Sequence, residues 1–316
     1  MIWLALVTVI LAGILWLSRL CYRIAFFSVN EKDQDIYAIP PGEQYEAVAE
    51  ELLEMIREAD ELPFDLVSTT SRDGTLLVAR YYHFYDGAPI QILFHGYRGN
   101  AIREFSGNYR LAKKLGFNSI VVDGRGHGKS CGHTISFGIR ERYDCLAWAR
   151  YARDTFGADI PVFLSGVSMG ASTVLMASAL RLPSNVVAIT ADCPYSSPGA
   201  IIRKVSRDIR LPGWLAYPFV VIGALVFGGF RIWESSPVKA VAHTGLPILL
   251  IHGEDDRFVP CDMSKEIYSA CSSRVRLITV PNAGHGLSYL TDTALYEKEF
   301  RDFLNSCNLC KQDPGP

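Results

Sequence analysis

The sequence predicts an α/β fold with a mostly parallel central sheet and helices on both of its faces. Three observations carry this expectation. Beyond about residue 90, short apolar runs of strand length alternate with longer stretches of helical period. Ahead of them, Leu66–Thr70 and Leu76–Tyr82 flank Ser71-Arg72-Asp73-Gly74, whose Asp-Gly step signals a hairpin. At 316 residues, the chain can bury roughly three quarters of its unfolded surface in one large domain without a disulfide or a metal. Strands alternating with helices after an opening hairpin imply parallel pairing, with both sheet faces covered.

The first element is apolar. Ile2 to Leu17 carries no charge and has Thr8 as its one polar side chain, with Trp3 and Trp16 near its two ends. As a helix it spans about 24 Å against a hydrocarbon core of ~30 Å. Arg19 and Arg23 can snorkel across the shortfall. A cleaved signal peptide wants basic residues before the apolar run and a small-x-small site after it, and neither is present. Arg19 and Leu20 before Cys21 do not fit a lipoprotein signal either. Residues 1–27 are therefore expected to be a single-pass membrane anchor. The charges that follow it place the rest of the chain in the cytoplasm.

Residues 28–63 read as a linker containing an amphipathic helix, Tyr45–Leu62. A globular domain is expected over 64–306, with a tail at 307–316. Within it the strands are Ile90–Phe94, Ser119–Asp123, Pro161–Gly166, Val186–Ala191, Pro247–Ile251 and Val275–Val280. The helices are Ile102–Leu115, Arg140–Phe156, Met169–Leu182, Asp262–Cys271 and Leu290–Leu304.

A net charge of −2, from 31 basic and 33 acidic residues mixed along the chain, argues against a nucleic-acid partner, which needs a basic face. The cysteines are scattered, unlike those of a small disulfide scaffold, and read as reduced thiols. Cys307-Asn-Leu-Cys310 stands alone without a second pair, so no metal site is expected. No cofactor is expected.

Four motifs fall at the carboxyl ends of expected strands. Gly166-Val167-Ser168-Met169-Gly170 fits G-x-S-x-G, a pattern with about 0.1 chance matches in a chain of this length. It follows an apolar strand and opens a helix, the setting that pushes a serine hydroxyl out at the sheet edge. His95-Gly96-Tyr97-Arg98-Gly99 supplies backbone N–H groups able to face a developing oxyanion. In His252-Gly253-Glu254-Asp255-Asp256, three acids compete for a place at the same edge. Asn282-Ala283-Gly284-His285-Gly286 puts a glycine-flanked histidine after the last strand. Serine, acid and histidine in that chain order suit a nucleophile, an orienting carboxylate and a general base.

With these motifs in place, residues from about Phe64 to Leu304 resemble the α/β-hydrolase superfamily. The closer resemblance is to bacterial membrane-anchored members grouped with serine aminopeptidase-like hydrolases and esterases. Asp123-Gly124-Arg125-Gly126-His127-Gly128-Lys129-Ser130 is similar to the family's D-x-R-G-H-G-x-S loop. The resemblance implies Ser168 as nucleophile, His285 as base and Asp256 rather than Asp255 as the acid. It also implies the N–H groups of Tyr97 and Met169 as oxyanion donors, and Arg125 and His127 as loop-shaping residues. His95-Gly96-Tyr97-Arg98-Gly99 departs from the H-G-G-P-G of proline iminopeptidase relatives, which disfavours peptidase activity.

At residues 194–238 the family carries a helical lid. Here that stretch holds Ile201, Ile202, Leu211, Trp214, Leu215, Phe219, Val220 and Phe230. Its apolar run Trp214–Phe230 is not a crossing, because one crossing would part Ser168 from Asp256 and His285. Pro218 and the glycines at 223, 228 and 229 suit bent lid helices better. Hydrolysis of a small-molecule or lipid-like carboxylic ester through an acyl-serine is expected. Thioesterase, acyltransferase and peptidase chemistry share the same motifs. A non-catalytic, membrane-tethered binding protein is the alternative from another class.

Overall fold

The computed structural model describes residues 1–28, 35–40, 42–210 and 212–309. Leu211 of the expected lid, Cys310 with the rest of the tail, and residues 29–34 and 41 of the linker lie outside the described residues.

The chain begins with helix α1 (Ile2–Ala25), which continues past the apolar run through Arg19 and Arg23. The linker holds α2 (Glu43–Glu46) and α3 (Ala49–Asp60), two helices where one was expected, because Val48 leaves the helical path. The hairpin strands β1 (Asp65–Thr70) and β2 (Leu76–Tyr82) follow. Next come β3 (Ile90–Phe94), α4 (Ala101–Leu115), β4 (Asn118–Asp123), α5 (Glu141–Phe156), β5 (Val162–Val167), α6 (Met169–Ala177) and β6 (Val186–Asp192). Helix α6 stops short of the expected Leu182, where the Ser178 hydroxyl turns back onto the Leu175 carbonyl. Between β6 and β7 lie α7 (Pro198–Asp208), α8 (Gly213–Val226) and α9 (Pro237–Val241). The chain closes with β7 (Ile248–Gly253), α10 (Asp262–Ala270), β8 (Val275–Val280), α11 (Ser288–Thr291) and α12 (Thr293–Ser306). The expected closing helix is split at Asp292, whose side chain accepts the Leu295 N–H and starts α12 afresh.

The eight strands form one sheet in the order β1-β2-β4-β3-β5-β6-β7-β8. Only the hairpin edge is antiparallel, at β1 with β2 and β2 with β4; the remaining pairs are parallel. Strand β3, Ile-Gln-Ile-Leu-Phe, is buried along its whole length, as a strand covered on both faces must be. On one face α5, α6, α9 and α10 bring Trp148, Val174, Val241 and Ile267 onto Leu164, Ile189 and Leu250. On the other, α4 and α12 bring Leu111, Phe300 and Phe303 onto Phe117, Phe163 and Leu249. This double cover leaves the carboxyl ends of the parallel strands as the place where loops from several strands meet.

The apolar run after residue 213 folds as the single helix α8, with Pro218 inside it. It packs along α1 so closely that a Cβ at Gly223 would lie 2.5 Å from the Ser18 carbonyl oxygen. Trp214, Leu215, Leu225 and Val226 remain exposed on its outer side, next to the exposed apolar length of α1. Helix α1 is long and apolar enough to cross a bilayer.

Candidate active site

Ser168 stands between β5 and α6 at φ 55°, ψ −112°, a backbone region that side chains other than glycine rarely occupy. The flanking glycines make the turn possible. A Cβ on Gly166 would sit 2.2 Å from the Gly170 carbonyl carbon, and one on Gly170 would sit 2.0 Å from the Phe94 carbonyl oxygen. The Ser168 amide is tied to the Asp192 carbonyl on β6 at 2.8 Å, which fixes the turn against the neighbouring strand. Strain held by its surroundings in this way is a mark of functional sites.

Asp256 follows β7 and His285 follows β8, so both come to the same sheet edge as Ser168. His285 Nδ1 lies 2.7 Å from Asp256 Oδ2, and His285 Nε2 lies 2.9 Å from Ser168 Oγ. The other carboxylate oxygen, Oδ1, accepts the Phe258 and Val259 amides at 2.9 and 2.8 Å. Burial opposes the Asp256 charge, yet hydrogen bonds from His252 and His285 hold the carboxyl well below the usual range. An ionised Asp256 keeps the hydrogen on His285 Nδ1, which leaves Nε2 to accept the serine proton. Asp255 and Glu254 point outward and are exposed, so only one of the three competing acids reaches the histidine.

Tyr97 lies in the turn after β3, and Met169 follows the serine at the first position of α6. Among the described residues neither backbone amide has a hydrogen-bond acceptor. A Cβ on Gly96 would meet Ser168 Cβ at 3.4 Å, so the missing side chain lets this turn approach the serine. The arrangement suits proton transfer from the serine and stabilisation of an anion beside it.

A cavity of about 450 Å³ opens onto Ser168 and His285. Its walls come from the linker (Gln44, Tyr45, Leu52, Met55), from α4 (Arg103, Glu104, Leu111) and from the stretch after His285 (Leu287, Tyr289, Leu290). The expected lid at 194–238 supplies none of its described lining residues. That segment packs on α1 and on Phe137, Met169 and Val259, while linker residues line the cavity. The Tyr45 hydroxyl donates to the His285 carbonyl at 2.7 Å, and Gln44 fills the space beside Gly284.

Residues 91–298 match the model of the alpha/beta hydrolase family. The chain belongs to that family. Among its relatives, the uncharacterized protein YqkD of Bacillus subtilis is 27% identical over 230 residues, covering 72% of this chain and 75% of the relative. The lysophosphatidylserine lipase ABHD12 of Macaca fascicularis is 27% identical over 173 residues, 51% of this chain and 39% of the lipase. The Pyrococcus furiosus esterase Pf2001 shares the fold at a TM-score of 0.61 and 20% identity, over 79% of this chain and 95% of the esterase chain.

In this hydrolase the remaining motif residues brace loops. Arg125 joins Asp144 on α5 at 2.5 and 2.6 Å and Asp73 of the hairpin turn at 2.9 Å. His127 and His95 stack edge to face at 4.6 Å; burial lowers His95 to about 4 and His127 to about 3, so both are neutral. Sequence reasoning left His252 without a role. In the structure its Nε2 donates to the Val259 carbonyl at 2.8 Å and lies 3.3 Å from Asp256 Oδ2, while Nδ1 meets Ser264 Oγ at 2.6 Å. Its place at the head of the acid motif was the only available sign. Glu104, Asp192 and Tyr45 also line the cavity, and nothing in the sequence marked them. Burial raises Glu104 and takes Asp192 to about 6.

Proposed function

We propose that this hydrolase cleaves carboxylic esters through an acyl-serine intermediate. The observation that carries the reading is the hydrogen-bonded line Asp256–His285–Ser168 at 2.7 and 2.9 Å. His285 Nε2 takes the Ser168 proton as Oγ attacks the ester carbonyl. The N–H groups of Tyr97 and Met169 face the oxygen that becomes negative. Asp256 stabilises the imidazolium, which then gives its proton to the departing alkoxide. Water then attacks the acyl carbon as His285 takes its proton, and the acid leaves as His285 returns that proton to Ser168 Oγ.

The cavity suits a substrate with one apolar arm. Leu52, Met55, Leu111, Leu287 and Leu290 offer an apolar wall, and Gln44, Arg103 and Glu104 a polar one. A lipid-like ester also fits the membrane location proposed here: α1 crosses the bilayer once, with Arg19 and Arg23 on the cytoplasmic side beside the catalytic domain. The esterase and lipase names among its relatives agree with an ester substrate.

Purified full-length protein in detergent should hydrolyse p-nitrophenyl esters and lose that activity in Ser168→Ala and His285→Ala. Equal rates in folded wild type and both variants, or no hydrolysis by folded wild type across a chain-length series, would overturn the proposal.

A further inference from the structure

The last turn of α1 does more than join an anchor to a domain. A helix end leaves carbonyl oxygens without intrahelical partners, and here two of them are taken by the turn beside Ser168. The Tyr97 hydroxyl donates to the Ala25 carbonyl at 3.0 Å. Arg98 Nη2 donates to the carbonyls of Ile24 at 2.9 Å and Phe27 at 3.2 Å. A cation there also complements the negative end of the helix. Phe26, fully buried, meets Phe137 and Phe230 edge to face at 5.7 and 5.2 Å, and Phe137 in turn stacks on Tyr97 at 5.1 Å. The Phe26 carbonyl accepts the Ile135 amide at 2.7 Å, so this end of the helix is fastened on two sides. Arg98 itself sits at φ 49°, a conformation that needs support from its surroundings.

We propose that the C-terminal turn of α1 sets the geometry of the oxyanion hole, with Arg98 as a positioning residue acting through the Tyr97 amide. This rests on the reading of Ser168 as nucleophile and of the Tyr97 N–H as oxyanion donor. A donor aimed at an oxyanion works because it is oriented before the charge develops. The Tyr97 N–H belongs to the Gly96–Tyr97 peptide: its carbonyl accepts from the Gly99 amide at 3.0 Å, and the residues that follow it are held by the Tyr97 side chain on Ala25 and by Arg98 on Ile24 and Phe27. The helix that reaches into the bilayer and the turn that faces the nucleophile therefore move together.

The test uses the full-length protein in detergent with p-nitrophenyl butyrate, comparing wild type, Arg98→Met, Arg98→Lys, Tyr97→Phe and Arg153→Met. The oxyanion exists in the transition state and not in bound substrate, so kcat should fall while KM holds. Arg98→Met is expected to lower kcat about 10- to 100-fold, with KM within about twofold and the pH profile unmoved. Lysine can reach one of the two carbonyls and should restore part of the loss. Tyr97→Phe, which removes one neutral hydrogen bond, should cost about threefold to tenfold. Arg153 pairs with the neighbouring Asp154 on the exposed end of α5, away from α1 and from the turn after β3, and its loss should leave kcat within about twofold. A folded Arg98→Met enzyme with wild-type kcat would overturn the inference. So would a loss that tracks a lowered thermal midpoint and that lysine does not restore. A folded wild type that neither hydrolyses the ester nor labels at Ser168 would instead sink the hydrolase reading, and this inference with it.

Discussion

The glycines around Ser168 set what this site tolerates. A methyl group on Gly170 would sit 2.0 Å from the Phe94 carbonyl oxygen, which is backbone and cannot swing away. Gly170→Ala should therefore destabilise the fold by about 1–3 kcal/mol. Chemical denaturation checks this, and an unchanged midpoint would mean that α6 can slide off β3. In the proposed mechanism Asp256 acts through orientation. Asp256→Asn keeps the shape but favours the wrong His285 tautomer, so kcat should fall about 10⁴-fold in a protein of near-native stability. A fall of less than tenfold would assign the orienting role elsewhere. Ser168 and His285 were legible because each is flanked by glycines at the end of an expected strand. Asp256 was narrowed from three neighbouring acids only by family resemblance; geometry explains the choice, since its side chain alone turns inward. His252 was not legible, because a buried histidine that bonds two backbone or hydroxyl partners leaves no periodic or spacing signature.

At the scale of elements, alternation of strand and helix gave the parallel strands of the sheet to within two residues at each end, because strands buried on both faces are continuous apolar runs. The walls of the cavity were less legible. Family resemblance placed a lid at 194–238, and in the structure α8 spends its inward face on α1, as the contact of Gly223 with Ser18 demands. The polar linker helix α2 lies over His285 through Tyr45, and polar residues announce no packing partner. Gly223→Leu should force α1 and α8 apart and lower the thermal midpoint in detergent; an unchanged midpoint would deny that contact a structural role. The His95–His127 contact, which joins the turn after β3 to the loop after β4, predicts a pH dependence. Both histidines are held neutral in the fold, with values lowered from 6.5 to about 4 and about 3. The unfolded chain takes up their protons as pH falls below 6.5, while the folded chain does not until near 4. Acidification across that window therefore favours unfolding through this pair. The stability difference between wild type and a His127→Asn variant should shrink as pH falls from 7 to 4.5. A difference that stays constant would contradict the assignment.

For the whole molecule, one apolar helix, one linker and one sheet edge form a single arrangement in which Ser168, the proposed nucleophile, lies beside the turn fastened to the end of α1. Topology is open to direct test through Cys131, an exposed free thiol. A membrane-impermeant maleimide should reach it only after intact cells are permeabilised; labelling without permeabilisation would place the domain outside. The claim on which all else depends is an activated serine. Folded full-length protein treated with a fluorophosphonate and weighed by intact mass spectrometry tests it most directly. The account predicts one adduct on wild type, mapped to Ser168, and none on Ser168→Ala. An unmodified wild type, or an adduct that persists in Ser168→Ala, would contradict it.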